Sequence, residues 1–330
     1  MKRVLAVLVS NGGALGRTEV EALSAARRVA ESLEGSLTAA LVGPVEEPWR
    51  EAAFAYGAHR VLEAKNGLLS SYQAHLVATA VEQAYHTAQA EVILFPSSTY
   101  GLEVAPLLGY RIGAGVVLDC VDLRGEAQTG HVRLTKPVYG GKANWELLAK
   151  QGPIVVAMRS RSVEPLPRDP SRRGEVQALE VNLDGQPQRS QVVERQGEES
   201  EAQRLEDAPI IVSGGRGVGG KENFASLQEL ARELGGTLGA SRAACDLGWV
   251  PASWQIGQTG KKVAPDLYVA VGISGASQHM VGLAGAKHIV AINKDPKAPI
   301  FRQAELGVVE DYRAFVPAFI EALRRQKSEG

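Results

Sequence analysis

The sequence predicts an α/β protein of two domains, and three observations lead there. Across 1–113, short apolar runs alternate with amphipathic segments, the pattern of a mostly parallel sheet covered by helices. The same alternation restarts at Pro209, after a tract too poor in apolar residues to bury a core. In the second half, 267–293 reads LYVAVGISGASQHMVGLAGAKHIVAIN: an apolar run broken at Gly272, a loop of small residues, and a second apolar run ending at Asn293. That is strand, tight turn, short helix and strand. Glycine permits close backbone approach and a helix N-terminus presents unpaired N–H groups. A turn of this kind can therefore cradle a dinucleotide's diphosphate at the carboxyl edge of a parallel sheet.

The bulk numbers bound the reading. A chain of 330 residues is long enough for about two domains of ordinary size. A net charge of -1 without a basic arm gives no support for nucleic-acid binding. No apolar run reaches the roughly 18 residues that span a bilayer, so membrane insertion is not expected. The opening MKRVLAVLVSNGG has the basic residues and apolar run of a signal peptide. The run is short, though, and closes in Asn-Gly-Gly without a small-residue cleavage site, so it reads as a first strand and its βα turn. The expected location is a bacterial cytoplasm; a mitochondrial matrix chain whose leader had been removed would read the same. Cys120 and Cys245 lie far apart and outside any CxxC, which fits a reducing compartment better than a disulfide framework.

The N-terminal domain is expected over 1–190, with strands at 4–9, 37–42, 60–62 and 92–96. Thr18 and Glu21 stand at capping-box spacing, and Leu23, Ala26, Ala30 and Leu33 repeat at helical spacing, so a helix joins the first two strands. Another is expected over 72–88. The fourth strand ends in FPSSTYG, where Ser97, Ser98 and Thr99 either form a ligand-binding lip or cap the next helix. From 115 to 162 the period becomes two, with VVLDCVDL, HVRLTKPVYGG and PIVVAMRSRS as strands and a mixed or antiparallel edge. EPLPRDPSRRGE must be surface loop, 176–181 is one more strand, and 191–207 is read as the linker. The C-terminal domain, 208–330, should hold strands at 210–213, 237–240, 267–271, 288–292 and 308–309, with helices over 222–234 and 312–324. That is a doubly wound, five-stranded sheet.

Its first loop, SGGRGVGGKENF, puts Gly215, Gly220 and Lys221 at GxxxxGK, between a strand and a helix, as a P-loop would. Glu222 stands where that motif needs a hydroxyl on Mg²⁺, and its carboxylate would repel phosphate. An ATPase is therefore not expected, and the loop should serve a ligand through Arg216 and backbone amides. Neither glycine stretch matches GxGxxG with an acidic residue about twenty positions on, which argues against a standard NAD site. The second loop, GASRAACDLGWVPASWQIGQTGKKVAPDLY, sets Ser241 and Arg242 at a strand end, then Gln258, Thr259 and Gly260 before the next strand. A flavin ring needs an apolar slot, a hydrogen-bonding group near N5, and a donor or cation near N1 and O2. Arg242, Thr259 and His279 can supply these from three loops on one sheet edge. The plainer readings stand beside this one: an Arg at a strand end is commonly solvated or ion-paired, and Gln-Thr-Gly is commonly only a turn. His279 is read as a residue of an open glycine-serine loop. His59, His75, His86, His131 and His288 lack metal-ligand spacing, and Ser274 with His279 lacks the GxSxG form, so neither a metal site nor a nucleophile is expected.

Five blocks in order, SGGRG, GASRA, QIGQTGK, LYVAVGISGASQH and VAINKDPKAPIF, closely resemble the flavin-binding half of the electron transfer flavoprotein alpha subunit, across 209–323. PSSTYG and KPVYGGKA echo it more loosely, with Lys136 and Lys142 in place of the more usual Arg and Asn. The resemblance implies FAD held by Arg216, Ser241, Ile256, Gly257, Gln258, Thr259, Ser274, Gly275, Ala276, Ser277, Gln278, His279 and Asn293, with Asp311 and Tyr312 near the adenosine. It makes Arg242 the cation beside the isoalloxazine, Thr259 the hydroxyl near N5 and His279 the group near O2. It further implies one FAD per heterodimer and a beta subunit that binds AMP structurally. The expected role is an electron carrier, moving single electrons from flavin dehydrogenases such as acyl-CoA dehydrogenases to a membrane quinone oxidoreductase. A cation about 4 Å from an anionic ring, at an effective dielectric of about 20, is worth about 4 kcal/mol, or about 0.17 V for one electron before its own desolvation is subtracted. Two other readings remain at this stage: an FAD-dependent oxidoreductase with its own substrate, and a nucleotide-binding regulatory module, which would have no need of groups around a flavin ring.

Overall fold

The computed structural model describes residues 2–10, 15–190, 192–194 and 205–329. The chain divides into two compact units, Met1–Gly197 and Glu198–Gly330. Most of the expected linker, and the Asn-Gly-Gly turn, lie outside the described residues.

The first unit runs β1 (Arg3–Val9), α1 (Arg17–Ser32), β2 (Ser36–Val42), α2 (Glu47–Ala55), β3 (Arg60–Lys65), α3 (Ala74–Ala88), β4 (Val92–Phe95), α4 (Thr99–Ile112), β5 (Gly115–Cys120), β6 (Asp122–Glu126), β7 (His131–Val138), β8 (Ala143–Ala149), β9 (Ile154–Met158) and β10 (Glu175–Glu180). Seven strands form a wholly parallel sheet in the order β10-β3-β2-β1-β4-β9-β5. Both faces are covered, which is why the central strands are continuous apolar runs. Val4, Ala6 and Leu8 of β1 pack with α1 and α2, while Leu5, Val7 and Val9 pack with α3 and α4.

Two local expectations change here. The antiparallel strands do not edge the main sheet; β6, β7 and β8 form a three-stranded sheet of their own. The departure begins at a bulge in β5, where Asp119 adopts φ 64° and Arg159 grips its carboxylate through Nε and Nη2 at 2.8 and 2.7 Å. Thr18 does not cap α1 either. The helix starts at Arg17 with Gly16 as its cap, and Glu21 is buried, accepting from Arg17 Nε and from the Arg161 amide, both at 2.7 Å. Ser98 takes the plainer of its two readings and caps α4, accepting from Gly101 N at 3.1 Å.

The second unit runs β11 (Ile210–Gly214), α5 (Phe224–Leu234), β12 (Thr237–Ser241), α6 (Arg242–Asp246), β13 (Gln255–Ile256), β14 (Leu267–Val271), α7 (Ser277–Val281), β15 (His288–Ile292), β16 (Leu306–Val308) and α8 (Tyr312–Glu329). Its sheet is parallel throughout, in the order β13-β12-β11-β14-β15-β16. The α/β architecture is as expected, with six strands instead of five: β13 is a two-residue pairing too short to leave any periodicity in the sequence. The chain winds outward from β11 to β13, returns to β14 beside β11, and winds outward again to β16. One face carries Leu227, Val316 and Ile320 from α5 and α8; the other carries Ile256, Tyr268, Leu283 and Ile300. No helix among the described residues is long and apolar enough to cross a membrane. Both cysteines are free.

Candidate functional site

Because every strand of the second sheet is parallel, all six carboxyl ends lie on one edge. β11 delivers Arg216 there, β12 delivers Ser241 and Arg242, β13 leads into Gly257, Gln258 and Thr259, β14 leads into 274–279, and β15 into Asn293. Asp311 and Tyr312 follow β16 at the start of α8. The topology thus brings the segments that carry the expected FAD residues to one edge, where the winding reverses between β11 and β14. Such a switch point opens a crevice for a ligand.

At the switch point two backbones interlock. Gly215 N donates to Val271 O and Gly217 N to Gly272 O, both at 2.9 Å. A Cβ on Gly215 would lie 2.3 Å from Gly272 O, and one on Gly272, whose φ is 61°, would lie 2.7 Å from the Gly217 carbonyl carbon. Glycine is required on both sides of this contact. The arrangement also counts against the P-loop reading. A P-loop cradles phosphate with free amides, whereas here the amides of Gly215, Gly217, Val218 and Gly219 are all committed to backbone carbonyls.

The loop after β14 is the opposite case. Among the described residues, the N–H groups of Ser274, Gly275, Ala276, Ser277 and Gln278 meet no protein acceptor, and four of these five residues are exposed. The loop is nonetheless fixed from behind: Ile300 N donates to Ser274 O at 3.0 Å, and Gly275, with φ 85°, sits so close to Ile300 that a Cβ would lie 2.4 Å from its nitrogen. Asn293 Nδ2 donates to Ile273 O at 3.0 Å and so ties the β15 end to this loop. Arg216 is exposed and has no carboxylate within 4 Å among the described residues. Unpaired amides after one strand of the switch point and an exposed guanidinium after the other are groups whose chemistry suits an anion.

The remaining candidates are placed as follows. Ser241 precedes α6 and its hydroxyl makes no cap bond. Arg242 projects into solvent, 66% exposed, and its Nε lies 3.3 Å from Asp246 Oδ2. Ile256 is buried; Gly257 follows it with φ 148°. Gln258 N donates to Gln278 O at 2.7 Å, seating the β13 loop on α7. Thr259 is exposed, and its Oγ1 accepts from Gln255 Nε2 at 3.0 Å, which leaves the hydroxyl proton free to be donated. Gln255 was not singled out from the sequence; a lone Gln ahead of an Ile-Gly pair carries no signal of such a role. Asp311 accepts from Arg313 N at 2.9 Å, the cap of α8. Tyr312 is buried, and its hydroxyl donates to Val218 O at 2.7 Å, so the side chain supports the Arg216 loop from below.

His279 differs most from expectation. It lies on α7, 7% exposed, with Nδ1 3.0 Å from Ile256 O and Nε2 2.9 Å from the Tyr268 hydroxyl. Burial pushes its pKa down to about 4, so the ring is neutral near pH 7. A carbonyl can only accept, so Nδ1 carries the proton and donates to Ile256 O. Nε2 must then accept from Tyr268, whose hydroxyl burial pushes well above its ordinary value. Both ring nitrogens face protein partners rather than the open edge.

Residues 4–184 match the family described as the electron transfer flavoprotein domain, and 204–284 match the electron transfer flavoprotein FAD-binding domain. Asn293, Asp311 and Tyr312 fall beyond the second match. Similar curated proteins cover nearly the whole length. They include an electron transfer flavoprotein subunit alpha of Bacillus subtilis (35% identical, spanning 98% of each chain) and one of Thermoanaerobacterium thermosaccharolyticum (36%, 96% of each). Protein FixB of Clostridium saccharobutylicum is 35% identical over 93% of this chain and 92% of its own.

Proposed function

Because the chain belongs to the electron transfer flavoprotein alpha-subunit family, we propose that its second unit holds one FAD along the carboxyl edge of the β11–β16 sheet, in a heterodimer with a beta subunit. The protein is an electron carrier. The observation that supports this placement best is the run of five unpaired main-chain N–H groups at 274–278, with Arg216 following the strand paired to β14. These donors fit a diphosphate, which needs many hydrogen bonds and a compensating charge without a bulky side chain in the way.

In this reading each element has one task. The 274–278 amides and Arg216 bind the diphosphate, with Asn293 holding the loop that presents them. Ser241 adds a hydroxyl, and the first residues of α8 border the adenosine. Thr259, oriented by Gln255, offers its proton to the ring, and Ile256 with Gly257 provides an apolar, close-fitting wall. Arg242 carries a positive charge on the solvent side of the site. His279 acts as a brace and not as a ring-nitrogen donor, because both nitrogens already have partners. The bound FAD supplies the ability to accept and release electrons one at a time, which no side chain here possesses.

The donors we propose are flavin dehydrogenases of the acyl-CoA class, and the acceptor a membrane quinone oxidoreductase. AMP is assigned to the beta subunit and the complex to a bacterial cytoplasm. Support for these finer assignments comes from the family resemblance, and for the compartment also from the wide spacing of the two cysteines in the sequence. The test is an absorption spectrum of the chain co-purified with its beta partner, followed through stepwise anaerobic reduction. A yellow complex taking up electrons in two separate one-electron steps supports the reading. A colourless complex that FAD does not reconstitute sinks it, and direct two-electron reduction by a small substrate favours an oxidoreductase.

A further inference from the structure

Three segments that are far apart in the chain meet at one buried hydrogen-bonded line. Tyr268 lies on β14, one of the two central strands, and is fully buried. His279 lies on α7, and Ile256 ends β13 at the sheet margin, immediately before the 257–259 loop. The line runs from the Tyr268 hydroxyl to His279 Nε2 at 2.9 Å, and from His279 Nδ1 to Ile256 O at 3.0 Å.

Beside this line, the 257–263 segment is held by the burial of Val263 in the cluster of Leu283 and Met280 and by backbone contacts. Gln258 N donates to Gln278 O at 2.7 Å and Val263 N to Gly282 O at 2.8 Å, while a Cβ on Gly282 would lie 2.5 Å from Gly257 N. Among the described residues, the imidazole is the one buried side chain whose hydrogen bonds couple this segment to the central strands, and a bond at one nitrogen alone leaves its ring able to tilt. Its orientation is set only if both nitrogens are engaged, since the second bond determines which way the first can point. Tyr268 supplies that second bond from a strand with neighbours on both sides. The strand sequence LYVAV carries a single polar tip, and a buried Tyr hydroxyl in such a strand ordinarily has a specific partner.

We propose that Tyr268 is a positioning residue for the flavin loop 257–259: by fixing the His279 ring it holds the Ile256 carbonyl, and with it Gly257, Gln258 and Thr259, in the arrangement that receives the flavin. This rests on the reading that FAD occupies the β11–β16 edge. It extends that reading to a residue that does not reach the edge itself. The effect is on the loop's order, so it is present with or without the cofactor.

The test uses the heterodimer carrying Tyr268→Phe, which removes one oxygen and keeps the ring that fills the core. Amide hydrogen exchange at 257–260 should accelerate about tenfold, the equivalent of about 1.4 kcal/mol and about one hydrogen bond. Exchange in β12 should be unchanged. FAD release, followed by flavin fluorescence, should accelerate by a similar factor. His279→Ala should reproduce both effects, and Tyr268→Phe combined with His279→Ala should be no worse than His279→Ala alone, because both changes cut the same line. His279→Gln, which can still donate to the carbonyl, should lie between His279→Ala and wild type, and this comparison does not depend on how Tyr268→Phe folds. Uniformly faster exchange across the whole domain, unchanged FAD release from a flavin-containing Tyr268→Phe complex, or additive effects in the double variant would each overturn the proposal. A wild-type complex that binds no FAD would overturn the placement of the cofactor instead, and the exchange comparison would still decide the role of Tyr268.

Discussion

The Tyr312 hydroxyl donates to the Val218 carbonyl at 2.7 Å, and the same carbonyl also accepts from Asn223 Nδ2 at 2.9 Å. The first residue of the last helix thus holds the loop after β11 jointly with a residue at the start of α5. Tyr312→Phe should cost only about 0.5–1 kcal/mol, because Val218 O keeps one donor. Adding Asn223→Ala leaves that carbonyl unpaired under the helix, and the double variant should lose more than the sum of the singles. Urea unfolding of the four proteins measures this; strict additivity would mean that the carbonyl is not shared.

Arg242 and Asp246 make an opposed pair of predictions. Their contact is exposed and i,i+4, so it holds the guanidinium only weakly. Arg242→Ala should keep FAD but lower the potential for uptake of the first electron, by at most about 0.17 V. Asp246→Asn releases the same guanidinium from its competing carboxylate and should raise that potential. Spectroelectrochemical titration reads both, and equal potentials in all three proteins would remove Arg242 from the ring's environment.

Gly272→Ala tests the interlock at the switch point. The residue has φ 61°, and its new methyl would meet the Gly217 backbone at 2.7 Å. Backbone cannot swing aside as a side chain does, so a loss of more than about 2 kcal/mol is expected in chemical denaturation. Gly235→Ala is the control: φ is 70° there too, but the space around it is open, and the cost should stay near the conformational penalty alone.

His279 predicts a window of pH sensitivity. Its folded pKa is about 4 and its unfolded value about 6.5, so between them the unfolded chain binds the extra proton. Stability linked to this residue is complete above about pH 6.5, falls as pH drops, and levels off near pH 4 after losing on the order of 3 kcal/mol. His279→Gln removes the titration. The wild-type protein should therefore lose more stability than the variant between pH 6.5 and 4, and parallel curves would contradict the buried neutral ring.

The sequence made the alternation of strands and helices legible wherever an apolar run was long enough to show a period, as at β1, β2 and β14. It hid elements that have none. β13 is two residues held by their neighbours, and β8, with Trp145 and Glu146 at its exposed end, owes its place to pairing with β7. Local pattern also misread Thr18 and Glu21, because the buried Glu21 answers to Arg161, 140 positions away. At the candidate site the strand ends were readable, since small and polar residues interrupt apolar runs there. The direction of the side chains was not. His279 and Tyr312 turn inward to partners that only the folded sheet brings near, and Gln255 acquires its role from the turn that returns Thr259 to it.

The second sheet tapers at both margins, from five-residue strands at its centre to three residues in β16 and two in β13. Short borders leave few unpaired peptide groups for another extended chain to join. The domain therefore offers little template along its flanks for edge-to-edge aggregation, including while the chain waits to meet its partner.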